Sequence, residues 1–516
     1  MAAHLSRRGF VGGAAVLSTA ALWVPRPGRA AIAMGFDEAR HLLSRATFGA
    51  TPAEIRAVEA LDYAAAVDRL LETSRGAALT PAPVWLSEGP AELREAQKAS
   101  REKKGLDGKP LKIVRPVQEQ ARELRNWWVE EMLVTDQPLV ERMTLFWHNH
   151  FTSSLEKVRY APAMYRQNEL FRREAFGNFG RLLKAVARDP AMLIYLDGVR
   201  SVARQPNENF ARELLELFTL GEGHYAEADI RNAARAFTGW SIDRETGAFR
   251  LNEQVHDPGQ KTFLGQTGPL TGDDIVARLL KQPRTAELVV EKLWREFVSL
   301  KPDPVEVKRL AAILRNGDYE MKPVLRAMFL SPAFREPTTR GALIKSPVDL
   351  IVGSVRLLGL PVPEKTQLVR MMQGLGQLPF NPPNVKGWAG GEAWITTYTL
   401  LLRQQFLRRI VEATTVSSMD GNMAMSMHPN RRAERKERAP ADEMMQQPME
   451  VARPVEGRSL RSAGMEAQLG PTLAGIDVAE LQRVLLPRKP IDGAEASGPA
   501  GAVVARAMLD PAYQLK

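Results

Sequence analysis

The sequence predicts a mainly α protein, a large helical globular domain interrupted only by short irregular or hairpin segments. Three observations carry that expectation. Apolar residues recur at helical spacing through most of residues 36–412, broken by Pro and Gly. Alternating strand-like runs are scarce, and Ala248–Leu251 with its flanking turns is the best place for a short hairpin. Finally, LKAVARDPAM at Leu183–Met192, LRAMFLSPAF at Leu325–Phe334 and VARAMLDPAY at Val504–Tyr513 each run an apolar helix into Asp-Pro or Ser-Pro. That pattern is a helix stop followed at once by a new N-cap with proline at the first helical position. The copies are irregularly spaced, so they read as a reused helix–helix corner and not as a solenoid.

Taken from the start, Ser6–Gly13 reads SRRGFVGG, with Arg7 and Arg8 before an uncharged run from Val11 to Val24. Small residues follow, with cleavage expected at Ala30 or Ala33. Pair, run and cleavage site in that order predict a twin-arginine signal over residues 1–33, and an exported, periplasmic location. That route carries proteins already folded. Thr51-Pro52-Ala53-Glu54 is a capping box opening a helix expected to reach about Leu71. Residues 75–117, rich in Pro, Gly and charge, read as a surface insertion, and helix resumes near Val117.

Residues 414–470 change character. They hold eight of the nineteen methionines and the charged cluster Arg431–Arg438, with little apolar periodicity. That composition predicts a disordered insertion, because it offers too little apolar surface to offset ordering. Helical spacing returns over 476–516, expected to pack back on the 36–412 body.

Composition limits the function classes. The formal charge is +10; without Arg7, Arg8, Arg26 and Arg29 of the leader, the 70 basic residues become 66 against 60 acidic, a balance of +6. Such a mild, dispersed excess argues against nucleic acid. No apolar run after Val24 is long enough to span a membrane. Cysteine is absent, which removes thiolate metal sites and cysteine nucleophiles. No G-x-S-x-G elbow, H-E-x-x-H helix, Walker loop or dinucleotide fingerprint occurs.

Four stretches could carry chemistry. In Leu139–Phe151, helical projection groups Leu139, Met143, Phe146, Trp147 and His150, and sets His148 on the opposite, polar side near Glu141. His150 then reads as a core histidine or a site residue, and His148 as a surface one. In Asn207–Gly221, Glu208, Arg212 and Glu216 form an i,i+4 ladder. Alternatively, Glu213 and Glu216 face the histidine helix as metal ligands or an acid/base pair. His256 and Asp257 stand on a Pro-Gly turn with Lys261, a decorated turn or a catalytic His-Asp pair. The loop Pro379–Trp394 displays Asn384, Lys386 and Trp388, either for a ligand or to pin the loop to the core. The candidate metal set is therefore His148, His150, Glu213, Glu216 and His256, for a divalent ion. A separate soft set, Met423, Met425, Met427 and His428, suits Cu(I).

Several of these runs, in order, resemble one family of exported bacterial proteins, domain of unknown function 1800. They are HLLSRATFGATPAEI at His41–Ile55, FWHNHF at Phe146–Phe151 and NENFARELLELFTLGEGHYAEADIRNAARAFTGW at Asn207–Trp240. HDPGQKTFLG, KSPVDLIVG at Lys345–Gly353, LPFNPPNVKGWAGGEAW at Leu378–Trp394 and the DPAYQ ending continue the match. The resemblance implies a largely helical, exported protein with no established activity. It also implies a genomic neighbour, the exported sulfatase-like family domain of unknown function 1501, as a possible partner. Two readings follow from the sequence: a folded periplasmic binding or assembly protein that partners another exported protein, or a metal-assisted enzyme, such as a hydrolase, with a His/Glu site.

Overall fold

The computed structural model describes residues 34–72, 76–95, 116–416, 472–473, 475–493 and 497–516. Residues 1–33, read above as an export signal, and 417–471, most of the expected disordered insertion with Met423, Met425, Met427 and His428, lie outside the described residues. Helices dominate, and among the described residues only two two-stranded antiparallel sheets occur. No helix among them is long and apolar enough to cross a membrane.

The proline corners form as their wording implies. Asp189 caps Pro190–Tyr195 by accepting from the Met192 amide at 2.9 Å, Ser331 caps Pro332–Arg335, and Asp510 caps the 3-10 turn Pro511–Gln514. In each, the preceding helix ends one or two residues earlier, so the chain turns without leaving amides unserved. The Thr51 capping box also forms, with Pro52 first in the helix Pro52–Glu59. That helix is shorter than the spacing implied. It stops at Ala60, and Asp62 accepts from the Ala65 amide at 2.9 Å as a new helix, Tyr63–Glu72, begins.

The expected hairpin pairs Trp240–Ile242 with Phe249–Leu251. A second, unforeseen one pairs Lys261–Phe263 with Gln266–Gly268 across Leu264 and Gly265, both at positive φ. Within the expected surface insertion, residues 76–95 are mostly exposed or half-buried. Trp85 and Leu93 are buried, and Trp85 Nε1 donates to Glu123 of the helix Pro116–Val134 at 2.6 Å.

The helix Pro138–His150 is the centre of the molecule, buried on nearly every side. Its polar face points inward, contrary to the amphipathic projection, because each charge on it meets a partner. Glu141 accepts from Arg172 through both oxygens and from Trp128 Nε1 at 2.9 Å. Arg142 pairs with Asp349, and with Glu296 at 3.2 Å. Buried charge is tolerable only when paired in this way. Asp349 also closes the capping box of the helix Pro347–Leu358 with Ser346. That helix passes so close to the Phe48–Gly49 turn that a Cβ on Gly353 would stand 2.7 Å from the Phe48 carbonyl oxygen. Only glycine permits the approach.

The helices Val478–Leu485 and Ala500–Leu509 pack on each other, and the latter packs on Thr397–Val416. The final residues bridge Ile344 through Leu515, which carries Lys516 inward to Asp349 at 2.7 Å.

Candidate functional site

The runs FWHNHFTSS and PFNPPNVKGW lie along one another, fastened from end to end. Asn149 Oδ1 accepts from the Trp388 amide at 2.7 Å, and its Nδ2 donates to the Trp388 carbonyl at 3.4 Å. Thr152 Oγ1 donates to the Val385 carbonyl, Ser154 Oγ donates to Asn381 Oδ1 at 2.6 Å, and the Leu155 amide donates to the Phe380 carbonyl at 2.9 Å. The two segments therefore run antiparallel, and the loop is a fixed shape. At Gly387 the approach leaves no room for a side chain: its φ is +84°, and a Cβ there would lie 2.3 Å from Asn149 Oδ1.

Behind this seam lies a cavity of about 300 Å³. Its lining comes from the central helix (Arg142, Phe146, Asn149, His150), the helix Pro283–Phe297 (Lys292, Arg295, Glu296), the loop (Lys386, Trp388, Trp394), and Asp349 and Lys516. Five cationic side chains thus face two carboxylates. Arg142 and Lys516 neutralise Asp349 and Glu296 between them, which leaves Lys292, Arg295 and Lys386 as the surplus.

The helix Glu208–Glu213 passes directly into a π-helix, Leu214–Thr219. Thr219 Oγ1 donates five residues back to the Leu214 carbonyl at 2.7 Å, and the Leu220 amide makes the same five-residue step to Leu215. Wide turns of this kind release carbonyls at the helix end. Three side chains take them up. Lys292 Nζ donates to the Leu217 carbonyl at 2.8 Å, His150 Nε2 to that of Phe218 at 3.2 Å, and Arg284 Nε to that of Leu220 at 3.1 Å.

The bond to the Phe218 carbonyl places a proton on Nε2 of His150. Burial, reinforced by Lys292, holds it well below the ordinary histidine range, and its Nδ1 is buried without a partner. Trp388 Nε1 and Arg142 Nε, on two other cavity-lining residues, are likewise buried and unpartnered. Burial, with repulsion from Arg295, lowers Lys292 to about 8.

The other sequence candidates fall in different places. His148 is buried, not exposed. Its ring sits against Trp128, Phe171 and Phe380, and its Nε2 meets Asn168 Nδ2 at 3.0 Å. Glu213 is half-buried, its carboxyl raised by burial and by Glu216 and opposed by Lys386. Glu216 accepts from the Tyr225 hydroxyl at 3.0 Å, while Arg212 reaches Glu208 at 3.3 Å and Glu227 at 2.9 Å. The ladder therefore loses its third rung, because the π turn shifts Glu216 out of register. His256 Nδ1 meets the Thr238 carbonyl at 2.8 Å, and Asp257 pairs with Arg235 at 2.7 Å, so that turn is locked within its own neighbourhood and lines no part of the cavity. Asn384 is exposed and accepts from the Lys386 amide at 2.9 Å, shaping the loop. Among the described residues no group of three or more His, Asp or Glu side chains is placed to hold a metal ion.

Sequence reasoning passed over Lys292, Arg295, Glu296, Asp349 and Lys516. Each lies on a helix or terminus that reads as ordinary surface charge, and no local spacing ties them to His150. A family model described as "Protein of unknown function (DUF1800)" matches residues 41–515. No curated protein and no solved structure matches the chain.

Proposed function

We propose that this chain, which belongs to the DUF1800 family of proteins of unknown function, is an exported binding protein whose cavity takes a small oxyanion-bearing ligand. The observation that carries this reading is the charge balance of the lining, where Lys292, Arg295 and Lys386 are left over after the buried ion pairs are counted. Among the described residues, Arg295 and Lys386 have no hydrogen-bond or ion-pair partner for their side chains. Guanidinium and ammonium groups gathered in a partly closed cavity favour phosphate, sulfate or carboxylate oxygens. Phe146, Trp388 and Trp394 supply flat apolar wall for the rest of a small organic ester. Export before ligand capture rests on the SRRGFVGG leader.

Titration with phenyl phosphate and inorganic sulfate at low ionic strength, followed by tryptophan fluorescence, tests this. Binding should weaken at least tenfold in Arg295→Ala/Lys386→Ala, while thermal stability stays near that of the parent. No saturable response to either probe at millimolar concentration would overturn it.

A second reading, assembly with a sulfatase-like exported partner, is favoured by one feature. Tyr398, Leu400 and Leu401 are exposed together near the start of the helix Thr397–Val416. Adjacent apolar side chains left in water mark interaction surfaces. Co-expression with the sulfatase-like protein should co-purify the pair, and Leu401→Glu should separate them.

A further inference from the structure

On the far side of the Asp349–Lys516 pair lies a second, much smaller cavity of about 40 Å³, lined by Arg40, Ser44, Thr47, Lys345 and Tyr513 and by an apolar wall that includes Leu357 and Leu485, with Asp349 and Lys516 common to both cavities. Its charge does not balance. Asp349 is already shared by Arg142 and Lys516. Arg40 and Lys345 line the cavity, while Arg45 and Arg403 lie outside its lining but within reach of the Asp349 charge. Arg40 feels the charge of Asp37, yet among the described residues none of the four makes an ion pair at 4 Å or less. Arg40 is buried, donates to the Pro487 carbonyl at 3.0 Å and keeps Nε unpartnered. Arg45 and Arg403 also keep buried guanidinium nitrogens without partners. The Lys345 ammonium stands 3.6 Å above the Tyr513 ring, a partial and weak neutralisation.

We propose that this cavity binds a single halide ion, chloride under ordinary conditions, between Arg40 and Lys345. The hydroxyls do not compete for the role. Ser44 donates to the His41 carbonyl at 2.9 Å, Thr47 to that of Leu43 at 2.7 Å, and the Tyr513 hydroxyl is paired with Ser354 at 2.9 Å. Charge decides the class of occupant, since a buried guanidinium stays protonated and demands a counter-charge. Size limits the occupant: a volume of about 40 Å³ suits a small inorganic anion and excludes an organic ester. Burial, with repulsion from Arg40, Lys516 and Arg403 outweighing the pull of Asp349, lowers Lys345 to about 7, and a bound anion would favour its protonated form. The halide would complete the electrostatic wall behind the larger cavity, yet its binding does not depend on what that cavity holds.

The test uses the full chain. Thermal unfolding is followed in sodium chloride, bromide, sulfate and gluconate at matched ionic strength, with anomalous diffraction from bromide-soaked crystals. A saturable rise in midpoint with chloride and bromide but not with gluconate or sulfate is expected, together with a bromide peak between Arg40 and Lys345. Lys345→Met should abolish the halide-dependent shift, whereas Arg295→Ala/Lys386→Ala should retain it, which separates this site from the larger cavity. Equal midpoints in chloride and gluconate, or a bromide-soaked crystal with no peak at Arg40 and Lys345, would overturn the proposal without recourse to any variant.

Discussion

Asn149 holds Trp388 by its backbone on both sides, accepting from its amide at 2.7 Å and donating to its carbonyl at 3.4 Å. One side-chain amide therefore does for this loop what a neighbouring strand would do in a sheet. It joins two motif segments 239 residues apart in the chain, and it places Trp388 and Lys386 on the cavity that His150 lines from the other side.

Replacing Asn149 with Ala removes both bonds and leaves the Trp388 amide without its acceptor. A loss of about 2 kcal/mol in urea unfolding is expected, with a red-shifted tryptophan emission as the loop loosens. Asn149→Asp keeps the acceptor but loses the donor and adds negative charge at the cavity wall. It should be milder for stability and harsher for phenyl phosphate affinity.

Gly387→Ala attacks the same clasp from the opposite side. The added methyl meets Asn149 Oδ1 at 2.3 Å in a backbone at φ +84°, and neither partner can retreat without breaking the Trp388 bonds. Destabilisation should exceed the ~1–2 kcal/mol of placing an ordinary side chain in left-handed backbone, and ligand affinity should fall with it. A crystal structure of a well-folded variant with the Asn149–Trp388 bonds intact would refute this account.

Arg142 carries the charge of the central helix. Arg142→Met leaves Asp349 and Glu296 with Lys516 alone, and should cost about 3–5 kcal/mol in chemical denaturation, as removal of one member of a buried pair does. Changing both Arg142 and Asp349 to apolar residues should recover part of that loss. A single variant less than 1 kcal/mol below the parent would show that the pair is not holding the helix.

Stability should rise with pH between about 4 and 6.5. His148 and His150 are held well below the ordinary histidine range by burial, with Arg172 and Lys292 respectively adding to the effect, and burial takes His41 to about 3. All three bind protons more readily when unfolded, so their contribution is present above about 6.5 and is lost as the solution is acidified. Asp189 works the other way. Burial raises it to about 7, so the stability of its protonated form fades as pH climbs from its unfolded value through 7. Glu169 and Glu213, also raised by burial, act in the same sense as Asp189 but are displaced less, so the three large histidine shifts give a net upward slope. His148→Gln should flatten it and Asp189→Asn should steepen it, as read from unfolding midpoints across that range.

Local chemistry made much of the fold legible. The Asp189, Ser331 and Asp510 corners follow from a proline that cannot continue a helix and a side chain that can start one. The Thr51 box follows from the same capping rules, although the restart at Asp62 cut its helix short. The candidate site was half legible. His150, Lys386 and Trp388 stood out because a histidine among aromatics and a Pro-Gly loop with tryptophans are unusual as local wording, and all three line the cavity. His148 was misplaced because a helical projection reads Glu141 and Arg142 as a solvated face, whereas Arg172 and Asp349 bring that face inside. The π turn at Leu214–Thr219 was invisible because it depends on partners for the freed carbonyls, and those partners, Lys292, His150 and Arg284, come from two other helices.

What the sequence determined alone was the helical class, the corners and the family, since periodicity, caps and contiguous motifs are properties of neighbours along a chain. What only the tertiary structure decided was which charges cancel. Lys292, Arg295 and Lys386 are unbalanced, and Arg142 is not, because Asp349, Glu296 and Lys516 arrive from distant segments to settle the account. Electrostatic energy depends on separation in space and on burial, and neither is written in the spacing of residues.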